Sequence, residues 1–176
     1  VQDQLTSAPA TPGAVKETIT ATHVVVATGS VARDLPFAKF DGDKIWGARE
    51  AMFNKAQPKS LIVVGAGAIG MEFGYFYHTF GTKVTVIEMM PRILPVEDDD
   101  VCVAMEKVFK KHGMEIKTST GVTNIEKTAT GAKVTVAPMV NGKPDESKKE
   151  TLEAEKVLLA IGVKGRFDGL FDASLG

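Results

Sequence analysis

With 176 residues, 44% hydrophobic and 24% charged side chains, the chain has the size and composition of one globular domain with trimmings. A formal net charge of −1 removes the electrostatic case for nucleic acid or an anionic membrane as partner. The single cysteine, Cys102, excludes an intrachain disulfide and a cysteine-built metal cluster, no apolar run approaches the ~20 residues that cross a bilayer, and no secretory pattern opens the chain, so a cytoplasmic location is expected.

The first 18 residues are polar and rich in Thr, Ala and Pro, and read as loop. Residues 19–27 (ITATHVVVA) begin with alternation and end in an apolar run, which predicts a buried strand. Thr28-Gly29-Ser30 breaks it, and residues 31–44, with Pro36 and Gly42, read as connector. A short helix is expected over 47–54. Residues 60–64 predict the first core strand and 68–80 a helix with Ile69, Phe73, Phe76 and Phe80 as its apolar stripe, capped at Gly81. A second strand follows at 84–87. The acidic run 97–100 opens a helix to about residue 112, with Val101, Met105, Val108 and Phe109 as its stripe and Gly113 as its cap. A third strand is expected at 114–118. Residues 122–126 and 133–136 then alternate with period 2 around Thr130-Gly131, Asn141-Gly142 marks a second turn, and residues 156–161 form another buried strand. Residues 162–176 carry no strong periodicity.

The chemistry concentrates at the end of the first core strand. Gly65-Ala66-Gly67-Ala68-Ile69-Gly70 is G-x-G-x-x-G, set between a strand and a helix, and Glu88 closes the next strand 18 residues later. This is the whole dinucleotide-binding arrangement. Gly65 permits the tight turn, Gly67 lets a pyrophosphate approach the backbone, and Gly70 lets the helix lie close to the sheet. The helix N-terminus offers unpaired amides and partial positive charge to phosphate. A strand-end carboxylate accepts ribose hydroxyls and repels a 2′-phosphate, which favours NAD over NADP. The fold expected is α/β, a Rossmann-like parallel sheet with helices and a small antiparallel β-meander. The run 97–100 has no His or Cys beside it and is better explained by helix-start chemistry than by a metal. His23, His78 and His112 read as surface or helix-end residues.

Together with Thr28-Gly29-Ser30 behind Ala27, the run from Val64 through Met71, Glu72 and Phe73, the strand ending in Glu88, Arg92-Ile93-Leu94-Pro95, and Leu158-Leu159-Ala160-Ile161-Gly162, the sequence resembles the pyridine nucleotide–disulfide oxidoreductases, most closely their dihydrolipoamide-oxidising branch. The resemblance covers residues 19–162. It implies that residues 45–162 are the NAD-binding domain of a larger flavoenzyme. Residues 1–44 would be the end of an FAD-domain segment with its connector, and 163–176 the start of the return. It further implies that Met71 and Glu72 belong to the cofactor site, Glu72 beside the nicotinamide and flavin. Val122 would lie against the adenine and Gly162 beside the NAD. Thr28, Gly29 and Ser30 would serve FAD in the full-length parent, which works with a 2-oxoacid dehydrogenase complex. The family's FAD glycine motif, its C-x-x-x-x-C disulfide and its His-Glu pair do not occur in this sequence, so no catalytic residue is expected here and the chain alone is expected to be inactive. Residues 163–167 depart from the family's Arg-Pro-Asn continuation, and 169–176 are expected to be disordered. An NADPH-dependent glutathione- or mercuric-type reductase and a stand-alone nucleotide-binding module are the competing readings, and Glu88 argues against the former.

Overall fold

The computed structural model describes residues 19–170. In chain order the elements are β1 (Ser30–Ala32), β2 (Ile45–Trp46), α1 (Ala48–Phe53), β3 (Ser60–Val64), α2 (Ala68–Thr79), β4 (Lys83–Ile87), α3 (Asp99–Lys111), β5 (Glu115–Lys117), β6 (Thr120–Lys127), β7 (Ala132–Val140), β8 (Lys143–Pro144), β9 (Glu150–Ala154), β10 (Lys156–Leu159) and β11 (Val163–Gly165). Five of them form a parallel sheet in the order β2-β10-β3-β4-β5. The meander pairs β6 with β7, and β7 with both β8 and β9, all antiparallel. The chain divides into two compact units. One spans residues 29–166, and the other holds the described residues 19–28 and 167–170.

Alternation along the central strands builds the larger unit in three layers. Leu61 and Val63 face one side of β3 and Ile62 and Val64 the other, and all four are buried. The first pair joins Val84, Val86 and Leu158 in a core closed by Met71, Tyr77 and Phe109 from the helices. The second pair joins Ile87, Val157 and Leu159 in a core closed by Ile125, Val134 and Val136 from the meander. Burial on both faces is why these strands read as continuous apolar runs while β6 and β7 alternate. The α/β class with a parallel sheet and an antiparallel meander matches the sequence-based expectation.

Several expectations need correction. Residues 19–27 form no strand, and Val24 and Val25 are 80% and 87% exposed. An apolar run becomes a strand only where a neighbour takes its ladder hydrogen bonds, and none of the described strands pairs with it. On α2 most of the predicted stripe is turned outward: Ile69, Phe76 and Phe80 are exposed, Phe73 alone packs against the helix-side core, and Gly70, Met71, Gly74 and Tyr77 are buried. A helix lies flush on a sheet by presenting its small residues. A Cβ on Gly74 would meet Met114 at 3.3 Å and Val86 at 3.6 Å. On α3 the buried residues are Cys102 and Phe109, with Val101 and Val108 exposed. The connector 31–44 opens inside β1, with which β11 pairs antiparallel. β9 lies in a polar stretch with no apolar period, and β7 alone supplies its ladder. Of the residues expected to be disordered, 171–176 lie outside the described region.

Candidate functional site

At the carboxyl ends of β3 and β4 the backbone approaches itself closely. Gly65 has φ +100°, and a Cβ there would sit 2.5 Å from the Ala160 carbonyl oxygen. A Cβ on Gly70 would sit 1.9 Å from the Gly65 carbonyl oxygen, so the first turn of α2 is pressed onto the loop before it. Gly67 differs from both. Its φ is −72°, which any residue adopts, and no atom lies within 4 Å of the position of its Cβ. Neither conformation nor packing within the chain requires a glycine there. It is the N-cap of α2 and has no side chain to cap the helix, whose first intrahelical bond runs from the Met71 amide to the Gly67 carbonyl at 3.0 Å.

Glu88 is 6% exposed, and its carboxylate is fixed at both oxygens. The Ala66 amide donates to Oε2 at 2.7 Å, and the Met90 amide donates to Oε1 at 2.8 Å. The Glu88 amide donates to Lys117 O at 2.9 Å, and the Thr120 amide to Glu88 O at 2.9 Å. The acid therefore ties the glycine loop, its own turn and the strands beside it into one frame. The Leu94 amide closes the loop from the other side on Ala66 O at 2.7 Å.

These elements surround a cleft of about 720 Å³. Gly65, Gly67, Ala68, Ile69, Glu88, Val122 and Gly162 line it, so the structure gathers seven of the predicted residues from four separate chain segments. Ala66, Gly70, Met71 and Glu72 are not part of its wall. Ala66 and Met71 are buried in the helix-side core, and Gly70 is buried against Gly65. Glu72 is the fifth residue of α2, past its first turn. It lines a second groove of about 470 Å³ between α2 and α3, with Tyr75, Met105 and His112. Gly162, with φ +103°, stands where the cleft meets β11, and its carbonyl accepts the Arg33 amide at 2.9 Å. Ser30 begins the β1–β11 ladder opposite Gly165, Gly29 just before it accepts the Arg166 amide at 2.9 Å, and Thr28 belongs to the smaller unit.

One wall of the cleft escaped the sequence reading. Thr120, Gly121, Met139, Gly142 and Pro144 from β6, β7 and β8 line it. Asn141-Gly142 marked the turn that carries part of this wall, but no local pattern says which layer a hairpin end will overhang. The run 97–100 behaves as a helix start: Asp98 is the N-cap of α3, Asp99 and Asp100 lie in its first turn, and Arg92 pairs with Asp99. Among the described residues no cluster of His, Cys, Asp and Glu can hold a metal, and no helix is long and apolar enough to cross a membrane. His112 is the C-cap of α3 and His78 lies in the last turn of α2, with His78 Nε2 at 2.8 Å from His112 O.

The family model described as pyridine nucleotide-disulphide oxidoreductase matches residues 2–176. The chain belongs to that family. Among curated relatives, dihydrolipoyl dehydrogenase from Rhizobium etli is 41% identical over 159 residues, which are 90% of this chain and 32% of the relative. Dihydrolipoyl dehydrogenase from Chlorobaculum tepidum is 42% identical over 150 residues, 85% of this chain and 31% of the relative. The chain thus spans about a third of the length of these family members. The crystal structure of LpdA from Mycobacterium tuberculosis superposes with a TM-score of 0.70 at 31% identity, over 81% of this chain and 29% of that one. A water-forming NADH oxidase from Lactobacillus brevis, solved with NADH bound, superposes with a TM-score of 0.64 at 26% identity, over 80% of this chain and 30% of that one.

Proposed function

We propose that the cleft binds NAD(H), and that the chain is the nucleotide-binding part, residues 45–162, of a flavin-dependent dihydrolipoamide dehydrogenase. The observation that carries this reading is Gly67, a glycine with an ordinary φ facing open space in a loop whose other two motif glycines are there for turn and packing. What a side chain at Gly67 would obstruct is a ligand. The uncapped amides at the start of α2 fit its pyrophosphate. The names of the curated relatives support the dihydrolipoyl assignment, and the NADH held by the oxidase supports the nucleotide.

Hydride exchange between nicotinamide and flavin is the chemistry the bound cofactors supply, and the residues of this chain bind and orient. The start of α2 holds negative charge through its amides and dipole. Glu88 has spent one lone pair of each oxygen on a backbone amide and keeps others for ribose hydroxyls, while a 2′-phosphate would bring like charge against a fixed, buried carboxylate. Val122 serves the adenine side and Gly162 the nicotinamide side. Glu72, exposed on α2, faces the flavin-bearing part of the parent, and Thr28, Gly29 and Ser30 serve that part's FAD. The parent oxidises a dihydrolipoyl thiol pair, reduces NAD and serves a 2-oxoacid dehydrogenase complex in the cytoplasm.

Isothermal titration of the purified chain with NADH, NADPH and FAD tests this. NADH binds, and NADPH binds about ten- to a hundredfold more weakly, as expected from hydrogen bonds to a charged group worth about 1.5–3 kcal/mol. FAD gives no heat. Glu88→Ala relieves NADPH but also releases the Ala66 and Met90 amides, so the loss for NADH exceeds the gain for NADPH. Equal affinity of the wild-type chain for the two nucleotides, or a preference for NADPH, overturns the assignment of Glu88.

A further inference from the structure

We propose that the β7–β8 hairpin is an adenine-seating wall and that Met139 is its specificity-determining contact. The proposal rests on the nucleotide reading of the cleft. Past Glu88, on the side away from Gly162, the cleft is walled by Met89, Met90, Val122, Met139 and Pro144. Apart from the glycines, this end is thioether and hydrocarbon, with Thr120 the polar side chain beyond the acid. A site that takes ribose hydroxyls on Glu88 has a flat aromatic base as the next group of its ligand. Polarizable sulfur is a favourable surface for such a ring.

Two independent features hold Met139 in that wall. The first is a relay of backbone bonds that begins at the acid. Glu88 Oε1 accepts the Met90 amide, Met90 O accepts the Ser119 amide at 2.8 Å, and Ser119 O accepts the Met139 amide at 2.7 Å. Ser119 turns through φ +46° to make both of its contacts. The second is Gly121. Its backbone does not need a glycine, but a Cβ there would lie 2.7 Å from the Met139 sulfur. The missing side chain on β6 is the space in which the methionine lies. On β8, Pro144 stands opposite Met139 in register, and the Asp145 amide bonds Pro138 O at 2.8 Å, so the hairpin is braced from behind.

The chain contains seven methionines, few enough for each methyl to be resolved after labelling with [methyl-13C]methionine. The Met139 methyl resonance, assigned from Met139→Leu, shifts on adding AMP and on adding NADH and stays put on adding nicotinamide mononucleotide. Met139→Ala and Gly121→Ala each weaken NADH and AMP about two- to tenfold, the range of a lost sulfur–aromatic contact, and Met139→Leu stays within about twofold. Gly121→Ala displaces only the flexible end of Met139, so it keeps the wild-type far-UV circular dichroism. A Met139 methyl unmoved by AMP, or unchanged AMP affinity in both alanine variants, overturns the wall while wild-type NADH binding leaves the nucleotide reading standing. A wild-type chain that binds no NADH overturns both.

Discussion

Three glycines in one motif answer to three different constraints, and a substitution at each fails for a different reason. At Gly65 and Gly70 the obstacle is backbone oxygen, at 2.5 Å and 1.9 Å from a would-be Cβ, so alanine there forces the loop and helix apart. At Gly67 nothing obstructs. Gly67→Val therefore leaves the thermal midpoint within about 1–2 °C of wild type, the scale of a surface substitution in a domain of this size, and abolishes measurable NADH binding by calorimetry. Retained affinity would show that the phosphate does not pass over this residue. Glu88 combines two tasks that its position in the sequence does not distinguish. The strand-end acid was legible as a carboxylate at the mouth of the cleft, but its hold on the Ala66 and Met90 amides was not. The bond from Ala66 reaches across 22 residues, and no spacing rule encodes it. Met139 was illegible for a related reason, since its partner Gly121 lies 18 positions earlier and reads as an ordinary strand glycine.

The elements divide by how local their causes are. β3, α2 and β4 were legible to within a residue or so because strand, glycine loop, helix and C-terminal glycine follow one another with their own signals, and Gly81 takes φ +95° behind the C-cap Phe80. Which face of α2 is buried was misread because bulk hydrophobicity pointed to the phenylalanines, whereas close packing on the sheet selects Gly70 and Gly74. β2 depends on a device that sequence periodicity does not register. Asp41 Oδ1 accepts the amides of Asp43, Lys44 and Ile45 at 2.9, 2.8 and 2.8 Å, and Lys127 Nζ lies 3.3 Å from Asp41 Oδ2. Partial burial pushes the Asp41 carboxyl up, but the three amides and the lysine outweigh it and leave it below the ordinary carboxylate range. A depressed folded-state value means stability that is present above the unfolded-state value of 3.8 and is lost as pH falls through the folded-state value. Asp41→Ala removes three amide partners and costs about 1–3 kcal/mol near pH 7, read as a lower urea midpoint. The difference from wild type narrows as both are titrated below pH 4. A pH-independent difference would mean that the charge on Asp41 contributes nothing.

For the whole molecule, every residue lining the cleft belongs to the larger unit. The one cysteine is fully buried, with its thiol against Leu94 O at 3.2 Å, and cannot form a redox pair within the chain. The chain without added flavin is expected to bind NADH and to show no NAD reduction with dihydrolipoamide, followed at 340 nm. Sustained turnover would sink the view that the thiol chemistry lies in other parts of the parent. The ladder joining β1 to β11 carries a consequence of another kind. Ser30 faces Gly165 and Ala32 faces Val163, so the chain comes into the larger unit and leaves it through neighbouring strands. A body whose two ends are already side by side can be spliced into a host polypeptide with little closure entropy and no stretching of the host, and it can equally be permuted. Joining residues 29 and 166 by a short linker and opening the chain between Thr128 and Thr130 should give a protein that still folds, because the spliced ends are held by the ladder and the new ones fall in a turn.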